Sequence, residues 1–256
     1  MHMVSNTARQ VRTFLVLVST TIALGTAQTW ATDTIEVAQF STMTAGTPLP
    51  AQWQPLTFKK IPQHTVYRLT KDGDTVVVQA TSQDSASGLI RQIQIDPREY
   101  PIVRWRWKVA NILTKGDVHS KAGDDYPARL YITFAYDASK LGFFEKAKYE
   151  AARLYYGEYP PTAAINYIWE SKAPVGLIVP NPYTERLKMI VVESGAAKLG
   201  QWVEEGRNLY EDYQKAFGEE PPMISAVAIM TDTDNTDESA TAFYGDIRFT
   251  RQSESH

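Results

Sequence analysis

Residues 224–249 read ISAVAIMTDTDNTDESATAFYGDIRF. An apolar run (Ile224, Val227, Ile229, Met230) leads into a loop dense in carboxylates and hydroxyls. A second alternating run then carries one more acid, Asp246. Two strands joined by such a loop are expected, and with them a β-rich chain. Asp232 and Asp234 alternate in the manner of a calcium loop, and Asp246 is expected to add a ligand from across the hairpin. The EF-hand pattern fails, because Asp237 stands where glycine is needed and Phe243 where the closing glutamate belongs. The competing reading is a solvated turn whose Asp, Asn and Thr side chains cap their own backbone.

Working outward, the same period of two recurs. Runs at 65–69 and 75–80 flank Lys71-Asp72-Gly73-Asp74, a hairpin signal. Residues 89–95, 128–136, 165–169, 176–179 and 187–192 read as further strands. In residues 102–109, Val103, Trp105, Trp107 and Val109 share one face and Arg104, Arg106 and Lys108 the other. The tryptophans must point inward, since a one-residue slip would bury three cations. Two segments switch to a helical period: 139–156, and 203–217 ending at Gly218. The composite is a mainly β chain: one β-sandwich of jelly-roll, galactose-binding-like or lectin-like type with two inserted helices.

Arg9 and Arg12 precede a short apolar run at 13–27 and small residues suited to cleavage, so residues 1–31 are expected to be a secretory signal. The sandwich is expected over 32–250, with a polar tail at 251–256. The chain has 26 basic and 29 acidic residues, a net charge of −3. Loss of two arginines with the signal leaves an acidic domain, which argues against a nucleic-acid partner. No later run is long enough to span a membrane. The 256 residues include no cysteine, so disulfides, thiolate metal sites and a cysteine nucleophile are excluded. His64, His119 and His256 have no ligand spacing. A bacterial periplasmic or secreted location is expected.

Several groups are candidates for binding. Arg104 and Arg106, on one strand face, suit carboxylates of an acidic sugar or peptide as bidentate forks. Asp124 and Asp125 enter the strand that carries Arg129, as either a structural ion pair or a ligand clamp. Tyr167 and Trp169 lie on one side of their strand, as sugar-stacking faces or as core. The expected ligand set is thus Arg104, Arg106, Asp125, Arg129, Tyr167 and Trp169, with structural calcium at Asp232, Asp234 and Asp246. Gly-x-Ser-x-Gly, Walker and Gly-x-Gly-x-x-Gly motifs are missing, and a nucleophilic hydrolase is disfavoured.

Ser87-Gly88, Trp105-Arg106-Trp107, Asp124-Asp125-Tyr126 with Arg129, Tyr167-x-Trp169, Asn181-Pro182, Trp202, Asp212-Tyr213, Asp232-Thr-Asp-Asn-Thr236 and Tyr244-Gly-Asp-Ile247 together resemble the 3047 family of domains of unknown function. The resemblance spans nearly the whole chain after the leader, with 143–159 an insertion. It implies an exported, β-rich bacterial protein and supplies no reaction. The Tyr-Gly-Asp-Ile strand also resembles the closing strand of galactose-binding-like and lectin-like sandwiches. The expected function is binding of a carbohydrate or other polar or acidic polymer on a face of the sandwich. The alternatives are a lyase or hydrolase acting on an acidic glycan, and an envelope interaction module without a small ligand.

Overall fold

The computed structural model describes residues 33–135 and 163–251. The leader expected at 1–31, the helix expected at 139–156, the insertion expected at 143–159 and most of the expected tail lie outside them. Thirteen strands occur among the described residues: β1 Thr34–Ala38, β2 Gln54–Leu56, β3 Val66–Asp72, β4 Thr75–Gln83, β5 Ala86–Ile95, β6 Ile102–Val109 and β7 Ala128–Phe134; then β8 Ala163–Glu170, β9 Ile178–Asn181, β10 Thr184–Ser194, β11 Val203–Asn208, β12 Ile224–Asp232 and β13 Ser239–Thr250. One sheet runs β11-β6-β13-β4-β3, with β1 also on β13. The second runs β2-β5-β12-β7-β8-β10-β9. Its β8–β10 pair is parallel, so this sheet is mixed.

The alternation in β6 behaves as its sequence demands. Val103, Trp105, Trp107 and Val109 are buried, and Arg104 is exposed. Trp105 meets Trp107 edge-on at 5.4 Å. Across the gap, Trp105 lies 5.2 Å from Tyr167 and Trp107 lies 6.2 Å from Trp169. These ring pairs join the inner faces of the two sheets into one core. Each large ring withdrawn from water contributes about 2–3 kcal/mol. Tyr167 and Trp169 are therefore core residues, fully buried. The Tyr167 hydroxyl donates to Asp212 at 2.9 Å, and the Trp169 indole donates to the Gly195 carbonyl at 3.1 Å. Neither presents a ring face to a ligand.

Two local expectations change. The segment 224–249 is not a paired hairpin: β12 lies between β5 and β7 in one sheet, and β13 lies beside β6 and β4 in the other. The loop at 233–238 carries the chain from one sheet to the other. Asp237 turns there at φ +54°, a left-handed conformation that a short polar side chain tolerates. Residues 203–208, expected to be helical, form β11 and pair with β6. The helix starts only at α1, Leu209–Phe217. Asn208 is its N-cap, accepting from the Glu211 N–H at 3.2 Å. Gly218 ends it at φ +75°, donating its N–H to Gln214. It is the one α-helix among the described residues, and no helix among them is long and apolar enough to cross a membrane.

A second, smaller apolar cluster covers the outer side of the mixed sheet. Ile168, Met189 and Val191 point outward there and are roofed by Val118 and Tyr126 from the β6–β7 loop. This roof explains why Arg129, which leaves β7 on the outward face, is only 2% exposed.

Candidate functional site

Two charged sites stand on different sheets, and the expected ligand residues divide between them and the core. The first is a groove of about 520 Å³ on the outer face of the β6–β13 sheet, lined by Arg104, Arg106, Glu204, Asp246, Arg248, Ser41 and Thr75. Its charge pattern follows from register. Arg104 on β6 lies directly opposite Arg248 on β13, and Arg106 lies opposite Glu204 on β11. Like charges opposite one another destabilise a strand pair. Among the described residues, neither Arg104, Arg106 nor Arg248 closes an ion pair or hydrogen bond. Glu36 lies on the other flank of Arg248 without pairing to it.

Glycines make the room. A Cβ on Gly206 would come within 3.1 Å of the Arg104 guanidinium, and one on Gly245 within 2.5 Å of the Arg106 stem. Each arginine can therefore lie against its neighbouring strand. Arg106 also stacks over Trp202 at 4.7 Å. Beside it, Lys108 pairs with Asp72 at 2.6 Å, and this ion pair together with the Trp202 N–H holds the Asp72 carboxyl below its usual range. Asp246 sits at the β13 irregularity between Tyr244 and Ile247. It accepts from the Ser41 backbone N–H at 2.9 Å and from the Ser41 hydroxyl. The structure thus separates Asp246 from Asp232 and Asp234. The two-sheet crossing is the cause, since it sends β13 to the opposite layer.

The second site lies at the end of β7 and β12. Asp232 closes β12, Asp234 follows in the crossing loop, and Asp124 and Asp125 arrive on the loop into β7. Arg129 forks onto Asp232, with Nε 2.7 Å from Oδ1 and Nη2 on Oδ2. The same guanidinium donates to the Asp124 carbonyl at 2.5 Å and to the Tyr131 hydroxyl at 3.1 Å. It lies 4.3 Å over the Tyr126 ring. Burial works against its charge, but Asp232, Tyr131 and Asp124 hold its pKa up. For Asp232, burial pushes upward and Arg129 pulls down. Both its oxygens receive N–H donors, which is the geometry of an ionised carboxylate.

Asp125 joins Asp232 and Asp234, one carboxylate oxygen of each lying within 4.8 Å of the others. Its Oδ2 accepts from the backbone N–H groups of Asn235 at 2.9 Å and Thr236 at 2.7 Å. Burial raises its pKa, and Thr236 and Arg129 oppose the rise. The Thr236 hydroxyl approaches without completing a hydrogen bond of good geometry. Burial also raises Asp234. Asp124 accepts from Asn181 Nδ2 at 2.9 Å. Phe58, Tyr183 and Leu187 help enclose the adjoining cavity of about 320 Å³. Asp125 and Arg129 therefore belong with the acids, 

not with Arg104 and Arg106. Arg248, Trp202 and Ser41 were not among the expected ligand residues. Arg248 was legible as the outward partner of Asp246 on an alternating strand, whereas Ser41 joins only through tertiary contact.

The fold and these sites define a mainly β protein built of two packed sheets, with charged sites on its strands and loops. Residues 51–248 match the model described as "Protein of unknown function (DUF3047)", and the chain belongs to that family. The match contains both charged sites except Ser41. A search among curated proteins finds no match.

Proposed function

We propose that this protein is an exported, periplasmic or secreted binder of a carboxylate-bearing carbohydrate polymer, held along the outer face of the β6–β13 sheet. The observation that carries this reading is Arg104 directly opposite Arg248, neither of them in an ion pair among the described residues although Glu204 and Asp246 share the groove. An anion bridging them would replace a repulsion with two charge-assisted contacts. Arg106 adds a third guanidinium, and the Ser41 and Thr75 hydroxyls supply neutral partners for sugar hydroxyls. On this reading the sandwich is lectin-like or galactose-binding-like in use. We favour binding over a lyase that uses a tyrosine base because the described lining holds no tyrosine or histidine.

The test is titration calorimetry with oligogalacturonate or alginate oligomers, with the same oligomers carboxyl-reduced as controls. Binding to the acidic forms is expected, weakening with salt. Arg104→Ala is expected to weaken it roughly 10- to 100-fold, the worth of a hydrogen bond to a charged group. Equal affinity for the reduced oligomers would overturn the proposal.

A further inference from the structure

The groove leaves the acidic cluster at the end of β7 and β12 unused. Four carboxylates, those of Asp124, Asp125, Asp232 and Asp234, surround one guanidinium, that of Arg129. The groups left without a hydrogen bond are all oxygens. Asp125 is 1% exposed and its Oδ1 has no hydrogen-bond partner. Asp124 is 7% exposed and its Oδ1 has none either, lying 3.7 Å from Arg129 Nη1. The Thr236 hydroxyl, which carries its own proton, lies beside Asp125. Buried carboxylate oxygens in this state cost free energy unless something positive meets them. A water could meet two such oxygens, but three carboxylates, those of Asp125, Asp232 and Asp234, each bring an oxygen within 4.8 Å of the others, and a cation offsets their charge as well.

From this convergence we infer that the protein holds a hard divalent cation, calcium by preference, between Asp125 and Asp234, with Asp232 beside it. Its ligands are oxygens alone, and no histidine or cysteine lies in the group, which excludes the softer transition metals. Carboxylates from two loops and a strand end make an irregular shell, which calcium accepts and magnesium, with its strict octahedron, does not. Arg129 has a defined role beside the ion. Its fork occupies both oxygens of Asp232, so that this residue braces the cluster while Asp125 and Asp234 face the metal. A divalent ion also cuts the net charge of the cluster from −3 to −1. The ion would tie the β6–β7 loop to the loop between the sheets. This inference does not depend on the groove or on its ligand.

The test uses the full chain without its leader, stripped with EDTA. Calcium is expected to raise the melting temperature by roughly 5–10 °C at about a hundred times its Kd. Terbium is expected to bind with emission sensitised by Tyr126 and Tyr131, and calcium to displace it. Asp234→Asn, at a half-buried loop position, should remove the emission while the apo melting temperature stays within a few degrees. Arg104→Ala should leave the emission unchanged, which separates this site from the groove. An unchanged melt with calcium, magnesium and manganese together with absent terbium emission would overturn the inference. So would emission that survives both Asp234→Asn and Asp125→Asn.

Discussion

Replacing Arg129 by methionine removes one charge and keeps most of the stem that packs on Tyr126. The wild-type contact combines a two-point fork on Asp232, donation to the Asp124 carbonyl and a bond to Tyr131, all at 2% exposure. At an effective dielectric of about 20, one charge pair at roughly 4 Å is worth about 4 kcal/mol. Withdrawing a guanidinium and a carboxylate from water costs several kcal/mol each, so the pair as a whole contributes little net stability. Removing the arginine alone is different, because Asp232 stays buried with Asp125 and Asp124 as neighbours. The expected cost is about 3–5 kcal/mol, a large part of the 5–15 kcal/mol typical of a domain. Arg129→Met/Asp232→Leu, which removes both charges, should recover most of that loss. Urea unfolding at pH 7 in EDTA measures all three proteins. A single-variant cost under about 1 kcal/mol, or a double variant no more stable than the single, would refute the reasoning.

Glu205, on edge strand β11, has its carboxyl pushed up to about 7, chiefly by burial and then by Glu193, against Trp107, Lys198 and Arg207. A raised carboxyl means the folded state binds the extra proton, so wild-type stability should fall as pH rises from about 4.5 through 7. Glu205→Gln should match wild type at pH 4 and exceed it at pH 8 by roughly 1–2 kcal/mol after allowance for partial solvent access, and a pH-independent difference in urea midpoints would contradict this. Gly245→Ala puts a Cβ 2.5 Å from the Arg106 stem, so acidic-oligomer binding should weaken while the melting temperature changes little. Calorimetry showing unchanged affinity would mean that Arg106 does not need its present seat.

How much of this was legible depends on what kind of constraint each residue obeys. The β6 face was readable because alternation is local and burying three cations is prohibitive. The Gly73 turn between β3 and β4 and the Gly218 cap were readable for the same reason, each being a backbone need met by one residue type. The β11 segment misled, since Glu204 and Glu205 suit a helix start; Asn208, three residues before Glu211, was the better start signal. The grouping of acids was not readable. Asp246 follows Asp234 closely in sequence, yet the crossing between sheets sends it to the groove, while Asp125 reaches Asp234 from more than a hundred residues away. The burial of Arg129 depends on a roof of loops that no periodicity announces. Tyr167 and Trp169 showed two aromatic residues on one side of a strand, and only the opposing Trp105 and Trp107 decide that this side is core.

The most direct test of the central claim is Arg104→Glu, measured twice. The substitution places a glutamate opposite Arg248, turning a like-charge cross-strand pair into an opposite one. Fold and function should move in opposite directions. Urea unfolding should show a gain of about 0.2–1 kcal/mol, while calorimetry with oligogalacturonate should show binding weakened at least tenfold. A variant that binds the acidic oligomer as well as wild type would contradict the account.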